Sequence, residues 1–261
     1  MRILFVGDVI GRPGRRALRE LLPELRSERS IDYTVVNIEN AAGGFGVNPG
    51  VLEELADLEI DCYTTGNHVW DKRDGLSLLE QHPNLLRPAN YPRGNPGSGL
   101  YVGETATGEK IATINLEGQV FMKPLPSPFE AADRLLERLP DDVRVVLVDF
   151  HAEATSEKQA MGFHLDGRVT AVVGTHTHVP TADARVLPGG TALQTDVGMT
   201  GPYESIIGFR HDKVLRRFAL QRNAPFEVAK RDVRVAACIV DADAETGRAR
   251  SIEALLIPFA G

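Results

Sequence analysis

Five apolar, strand-like runs in this chain are each followed at once by an acid, an amide or an imidazole. Asp8 follows the first in VGDVIGRPG, Glu39 and Asn40 the second in NIENAAGG, and Asn67 and His68 the third in TTGNHVWD. His151 follows the fourth in VDFHAEATSEK, and His176 and His178 the fifth in VVGTHTHVPTAD. Each placement means little by itself, since an Asp after a strand is usually a cap or turn residue. The five together constrain the fold. Ligands of open α/β sheets bind outside the carboxyl ends of the strands, so residues at five such ends converge on one crevice.

The segments between these tips agree. Strand-like runs at 2–6, 33–38 and 61–65 alternate with helical spacing over 13–29 and 49–58, each helix opening on a proline. That order predicts a largely parallel sheet with right-handed crossovers. Residues 83–99, rich in Pro, Gly and Asn, read as loop. Runs 100–105 and 110–116 form a β pair around a turn at Thr107–Gly108. A helix over 127–139 is capped by Ser127 before Pro128. Strand 143–149, helix 155–164 and strand 169–173 follow, then strands at 184–187, 191–195, 233–240 and 249–257. No linker divides the chain, so residues 1–261 read as a single α/β domain. Its expected core is two packed mixed β-sheets flanked by helices, one sheet from each half of the chain.

The donor types at the strand tips point to metal chemistry. Carboxylate, amide oxygen and imidazole suit borderline or hard divalent and trivalent ions. In an extended HxH segment the two side chains point the same way, which would aim His176 and His178 together. Cys62 and Cys238 sit in apolar runs as buried thiols and take no part, which disfavours a structural zinc site. A net charge of −7, from 29 basic and 36 acidic residues, lacks the positive field a long duplex nucleic acid requires. Small phosphate ligands remain open, because bound ions supply local positive charge. There is no P-loop or dinucleotide glycine motif. Gly43, Gly44 and Gly46 therefore read as a turn that brings backbone toward the site, or as a plain turn. Arg12, Arg15 and Arg16 open the first helix near Asp8 and read as phosphate steering or as a solvated face. The loop containing Thr200 and Tyr203 reads as pocket lining. His82, His164 and His211 have no motif around them. With no signal peptide, transmembrane run or lipidation motif visible, the expected location is the cytoplasm, with no membrane partner.

The series GD, NIEN, GNH, a lone His after a strand and THTH resembles the calcineurin-like metallophosphoesterase superfamily, in order, over about residues 1–200. Three positions depart from the family pattern: Glu39 stands where most members have a bridging Asp, Val69 where an acid follows GNH, and GTHTH where the pattern reads GHxH. NIEN with AAGG, GNHVWD and QTDVGMTGP are similar to the YmdB-type bacterial branch, known as cyclic-nucleotide phosphodiesterases with two metal ions.

The resemblance implies a four-layer sandwich with two divalent or trivalent ions per chain, iron or manganese first, with zinc or magnesium also suited. Asp8, Glu39 and His178 would hold one ion, with Asn40 completing its shell. Glu39, Asn67, His151 and His176 would hold the other, making Glu39 the bridge. His68 would not be a ligand and would stand over the leaving group. Two ions about 3.5–4 Å apart would share and deprotonate a water for in-line attack, and a protonated His68 would add about 10²–10⁴-fold. The implied partner is a small phosphodiester, a 2′,3′- or 3′,5′-cyclic nucleotide. The alternatives are a phosphomonoesterase or 5′-nucleotidase on the same ions, and a regulatory metal-binding protein with little turnover. Homo-oligomerisation is left open. A metallohydrolase of the HxHxDH type is disfavoured, since VPTAD follows the HTH here.

Overall fold

The chain alternates apolar residues to both sides of most of its strands, and each side is covered. The computed structural model describes residues 1–261. The first sheet contains β1 (Arg2–Val6), β2 (Tyr33–Asn37), β3 (Cys62–Thr64), β10 (Gly201–Pro202), β11 (Val233–Ala242) and β12 (Ala249–Pro258). Strands β1, β2 and β3 are parallel, and β11 joins β1 antiparallel. The second sheet contains β4 (Leu100–Glu104), β5 (Lys110–Glu117), β6 (Val145–His151), β7 (Ala171–Thr175), β8 (Arg185–Val186) and β9 (Ala192–Gln194). There β5, β6, β7 and β9 run parallel, with β4 and β8 antiparallel at the two edges.

Two mixed sheets flanked by helices are thus as expected, but the chain is divided differently. Both ends of the chain build the first sheet and the middle builds the second. The physical reason is that β11 offers β1 a five-residue antiparallel register, Arg2–Val6 against Ala237–Asp241. This pairing removes the exposed edge that β1 would otherwise carry.

Strand parity then makes the layers. Ile3 and Phe5 of β1, Tyr33 and Val35 of β2 and Cys238 and Val240 of β11 face Val145, Leu147, Ala171 and Val173 of the other sheet in one buried cluster. Leu4, Val6 and Val36 face the opposite way, against α1 (Gly11–Glu28), α2 (Pro49–Leu55) and α3 (Gly75–Gln81). Ala112, Ile114, Val146 and Val148 face α4 (Pro128–Leu136) and α5 (Thr155–His164). At about 25 cal/mol per Å² of apolar surface, these three layers supply the main driving force.

The starts of α2 and α4 follow from local chemistry. Asn48 Oδ1 accepts from Val51 N at 3.0 Å and Ser127 Oγ from Glu130 N at 3.3 Å, each with proline at the first helical position. Helices α3 and α6 (His211–Leu220) were not apparent from the sequence. The strand read at 169–173 runs instead over Ala171–Thr175, which puts Thr175 inside the strand end and His176 just beyond it. No helix is long and apolar enough to cross a membrane.

Candidate metal centre

The carboxyl ends of β1, β2, β3, β6 and β7 bring seven of the sequence-singled residues together. Ligand atoms of Glu39, His151 and His176 lie within 4.8 Å of one another, as do those of Asp8, Glu39 and His178. Glu39 is common to both groups. Its Oε1 lies 3.2 Å from His151 Nε2 and accepts from Asn40 Nδ2 at 3.0 Å. Its Oε2 accepts from the backbone N–H of His68 at 3.2 Å. Asn67 Oδ1 is 3.0 Å from His151 Nε2, and Asn40 Nδ2 is 3.0 Å from His178 Nε2.

Each imidazole is held from behind. His151 Nδ1 donates to Thr175 Oγ1 at 2.9 Å, and that hydroxyl donates to Asp149 Oδ1 at 2.7 Å. His178 Nδ1 donates to the Ile207 carbonyl at 2.9 Å. His176 Nε2 is 3.0 Å from the Glu153 carboxylate. These partners fix the tautomers, so His151 Nε2, His178 Nε2 and His176 Nδ1 present lone pairs to the crevice, the arrangement that orients metal-ligating histidines.

This donor set fits a cation. Asp8 is fully buried, and its Oδ1 has no hydrogen-bond partner, while Oδ2 accepts from His176 N at 3.1 Å. His151 Nε2 stands within about hydrogen-bond distance of three acceptors: Asn67 Oδ1, Glu39 Oε1 and His176 Nδ1, the last at 3.1 Å. One proton cannot serve all three, whereas a cation between them serves every lone pair at once. The electrostatics agree. Burial alone raises a carboxyl, yet the charge and hydrogen bond of His151 hold Glu39 well below the usual carboxylate range. Burial is the largest influence and opposes charge on His151, but the charge and hydrogen bond of Glu39 with the charges of Asp8 and Asp149 together lift the imidazole to about 9. Burial and then His151 push His176 down to about 3. Burial raises Asp8 against the pull of His178 and His151. The crevice therefore gathers negative charge that draws positive charge to His151.

His176 and His178 do not lie in an extended segment. Both have left-handed backbone, with φ of 98° and 66°, so they do not point the same way. His176 faces Glu39 and His151, and His178 faces Asp8 and Glu39. Asp196 makes this turn feasible. Its Oδ2 accepts from Thr177 N and Thr177 Oγ1 and from Lys158 Nζ, at 3.1, 2.7 and 2.6 Å.

His68 is half-buried at the rim, with Nδ1 2.7 Å from Asp71 Oδ2. The acid missing at Val69 is thus supplied two positions later, while Val69 packs into the core. Three other singled residues are not brought into this cluster. Thr200 is fully buried, and its hydroxyl exchanges hydrogen bonds with the Ala236 backbone of β11. Tyr203 donates its hydroxyl to the Met199 carbonyl at 3.0 Å. Arg12 is exposed and lines a shallow cleft with Arg16, Arg19, Glu20 and Glu54. Sequence reasoning missed Glu117, a fully buried acid at the end of β5 beside His151, with both carboxylate oxygens unpartnered. Its signal was the same as for the others, an acid closing an apolar strand.

Comparisons with known proteins accord with this geometry. The family model described as "YmdB-like protein" matches residues 4–255. A Bacillus subtilis protein named 2′,3′-cyclic-nucleotide 2′-phosphodiesterase is 46% identical over 258 residues, covering 98% of this chain and 97% of that protein. The crystal structure of a hypothetical protein from Thermus thermophilus superposes with a TM-score of 0.93 at 44% identity, covering 99% of each chain. That of a Mycoplasma pneumoniae protein described as a novel phosphatase gives 0.93 at 35% identity, covering 99% of this chain and 93% of the other.

Proposed function

The chain belongs to the YmdB-like family, and from that premise we propose that it is a two-metal phosphodiesterase, one domain over residues 1–261, hydrolysing 2′,3′-cyclic nucleotides. The observation that carries this reading is Glu39, shared by two overlapping ligand groups. Support for the substrate class comes from the name of the Bacillus relative.

Asp8, Glu39 and His178 would hold one ion, and Asn40 joins them if its amide oxygen is turned inward, since amide oxygen and nitrogen are interchangeable by shape. Glu39, Asn67, His151 and His176 would hold the other. Bound there, the ions would polarise the phosphoryl oxygens and make water acidic enough to react near neutral pH. A carboxylate between two cations offsets their repulsion, the task assigned to Glu39. His68, its Nδ1 engaged by Asp71, keeps Nε2 to hand a proton to the departing oxygen.

The test is a substrate panel combined with metal analysis of the purified protein. It sets 2′,3′- and 3′,5′-cyclic nucleotides, bis-p-nitrophenyl phosphate and p-nitrophenyl phosphate side by side. The proposal expects close to two transition-metal ions per chain and fastest turnover of the 2′,3′-cyclic nucleotide. The phosphatase description of the Mycoplasma structure keeps a second reading, phosphomonoesterase, in the panel. Preference for p-nitrophenyl phosphate would favour it, and diesterase activity surviving complete metal removal would refute both.

A further inference from the structure

The glycine turn after Glu39 has a specific structural purpose. Gly44 and Gly46 have φ of 102° and 73°. A Cβ on Gly44 would come within 2.8 Å of the Phe209 ring, and one on Gly46 within 2.8 Å of the Lys72 side chain and 3.3 Å of the His68 carbonyl. The turn is pressed between Phe209 and the His68–Lys72 segment, and the residue it delivers there is Phe45.

Phe45 stands edge-on to the His68 imidazole, centroids 4.9 Å apart. It stacks on Phe209 at 5.2 Å and 18°, and meets Phe226 edge-on at 5.7 Å. Phe209 is buried, Phe45 is partly exposed and Phe226 is 43% exposed. The Arg217 guanidinium lies over one face of the Phe226 ring, 4.4 Å from its centroid, and holds the ring in place. A polar crevice thus has one aromatic wall. It begins against His68, the residue assigned to the leaving group, and opens to solvent.

We propose that the exposed Phe226 ring stacks the base of a cyclic nucleotide while Phe45, set edge-on to it, packs against the base's rim, and that the pair thereby selects which ester oxygen leaves. This rests on the phosphodiesterase reading above. The base is carried on C1′, next to C2′, so a base on this wall brings the 2′ oxygen, rather than the 3′ oxygen, toward His68. Water oxygen bonds to phosphorus and the water gives up one proton to solvent, the bond from phosphorus to the 2′ oxygen breaks, and that oxygen takes a proton from His68, which regains one from solvent. The product is a nucleoside 3′-phosphate.

The test compares 2′,3′-cyclic AMP with glycerol 1,2-cyclic phosphate, which has the same five-membered diester and no base. Phe226→Ala should raise KM for the nucleotide about 5- to 140-fold, the span that alanine substitution of a base-stacking aromatic covers. It should leave kcat/KM for the glycerol diester within about twofold, while Phe226→Tyr stays near wild type on both. Phe45→Leu should also lower the share of 3′-phosphate in the product, read by phosphorus NMR. An equal loss on both substrates, or an unchanged nucleotide KM, would make the aromatic wall a packing feature and overturn the proposal. Turnover of neither substrate by the wild type would overturn the phosphodiesterase reading together with this one.

Discussion

His68 Nδ1 lies 2.7 Å from Asp71 Oδ2, so the partner of the ring is fixed on one side and Nε2 is left to the crevice. His68→Ala is predicted to keep its metals and lose rate by about 10²–10⁴-fold, the span of a general acid. The loss should shrink with p-nitrophenolate as leaving group, which needs little protonation. Asp71→Asn should leave the metals in place and lower the rate on poor leaving groups more than on good ones, because the partner that aims the ring, and with it Nε2, is weakened. Metal analysis and rates on good and poor leaving groups check both variants. Release of an ion by His68→Ala would make the residue a ligand.

Lys158 and Asp196 form a buried pair, Nζ to Oδ2 at 2.6 Å, each about 2% exposed, beneath the His176–His178 turn. Left-handed backbone at non-glycine residues costs on the order of 1–3 kcal/mol each and persists only where its surroundings enforce it. Lys158→Met leaves a buried carboxylate without its cation, so urea unfolding of the chelated protein should show a loss of about 3–5 kcal/mol. Metal affinity should fall with it. A loss below about 1 kcal/mol would mean that the Asp196 hydrogen bonds to Thr177 suffice to hold the turn.

Asp149 is fully buried, accepts from Asn37 Nδ2, Thr64 Oγ1 and Thr175 Oγ1, and is raised to about 6. Burial is the main cause, and His151 and the two threonine hydroxyls offset it only in part. A carboxyl raised on folding binds its proton more tightly in the folded state. Its stabilising contribution is full below the unfolded value near 3.8 and is lost as pH rises to about 6. In chelated protein, the stability of wild type relative to Asp149→Asn should therefore fall by roughly 3 kcal/mol between pH 4 and 6 and stay level above. A difference that does not change with pH would contradict the assignment.

The strand tips were legible because apolar runs and the polar residue after each are local features. Asp8, Glu39, Asn67, His151 and His178 stand where that reading put them, around one crevice. What the sequence concealed was relational. The pairing of β11 with β1 joins residues more than two hundred positions apart, so the division into sheets could not be read from either half. The His176–His178 turn is bent by Asp196, eighteen or more positions downstream, and an HTH string by itself reads as extended. Thr200 lies in the loop QTDVGMTGP, which looks like pocket lining, yet its hydroxyl serves the β11 backbone. Phe45 was hidden among glycines, since only the folded chain brings Phe209 and Phe226 to it.

Glu39 is the single group common to both ligand sets, and metal stoichiometry of its variant tests the two-metal account most directly. Elemental analysis of wild type, Glu39→Gln, His176→Ala and His178→Ala, purified alike and checked for folding by circular dichroism, should separate the cases. The account predicts about two ions per chain in wild type, about one in each histidine variant, and a deficit at both sites in Glu39→Gln, with little or no cyclic-nucleotide turnover. Retention of one full ion by Glu39→Gln, as in the histidine variants, would contradict it and make Glu39 a ligand to one ion only.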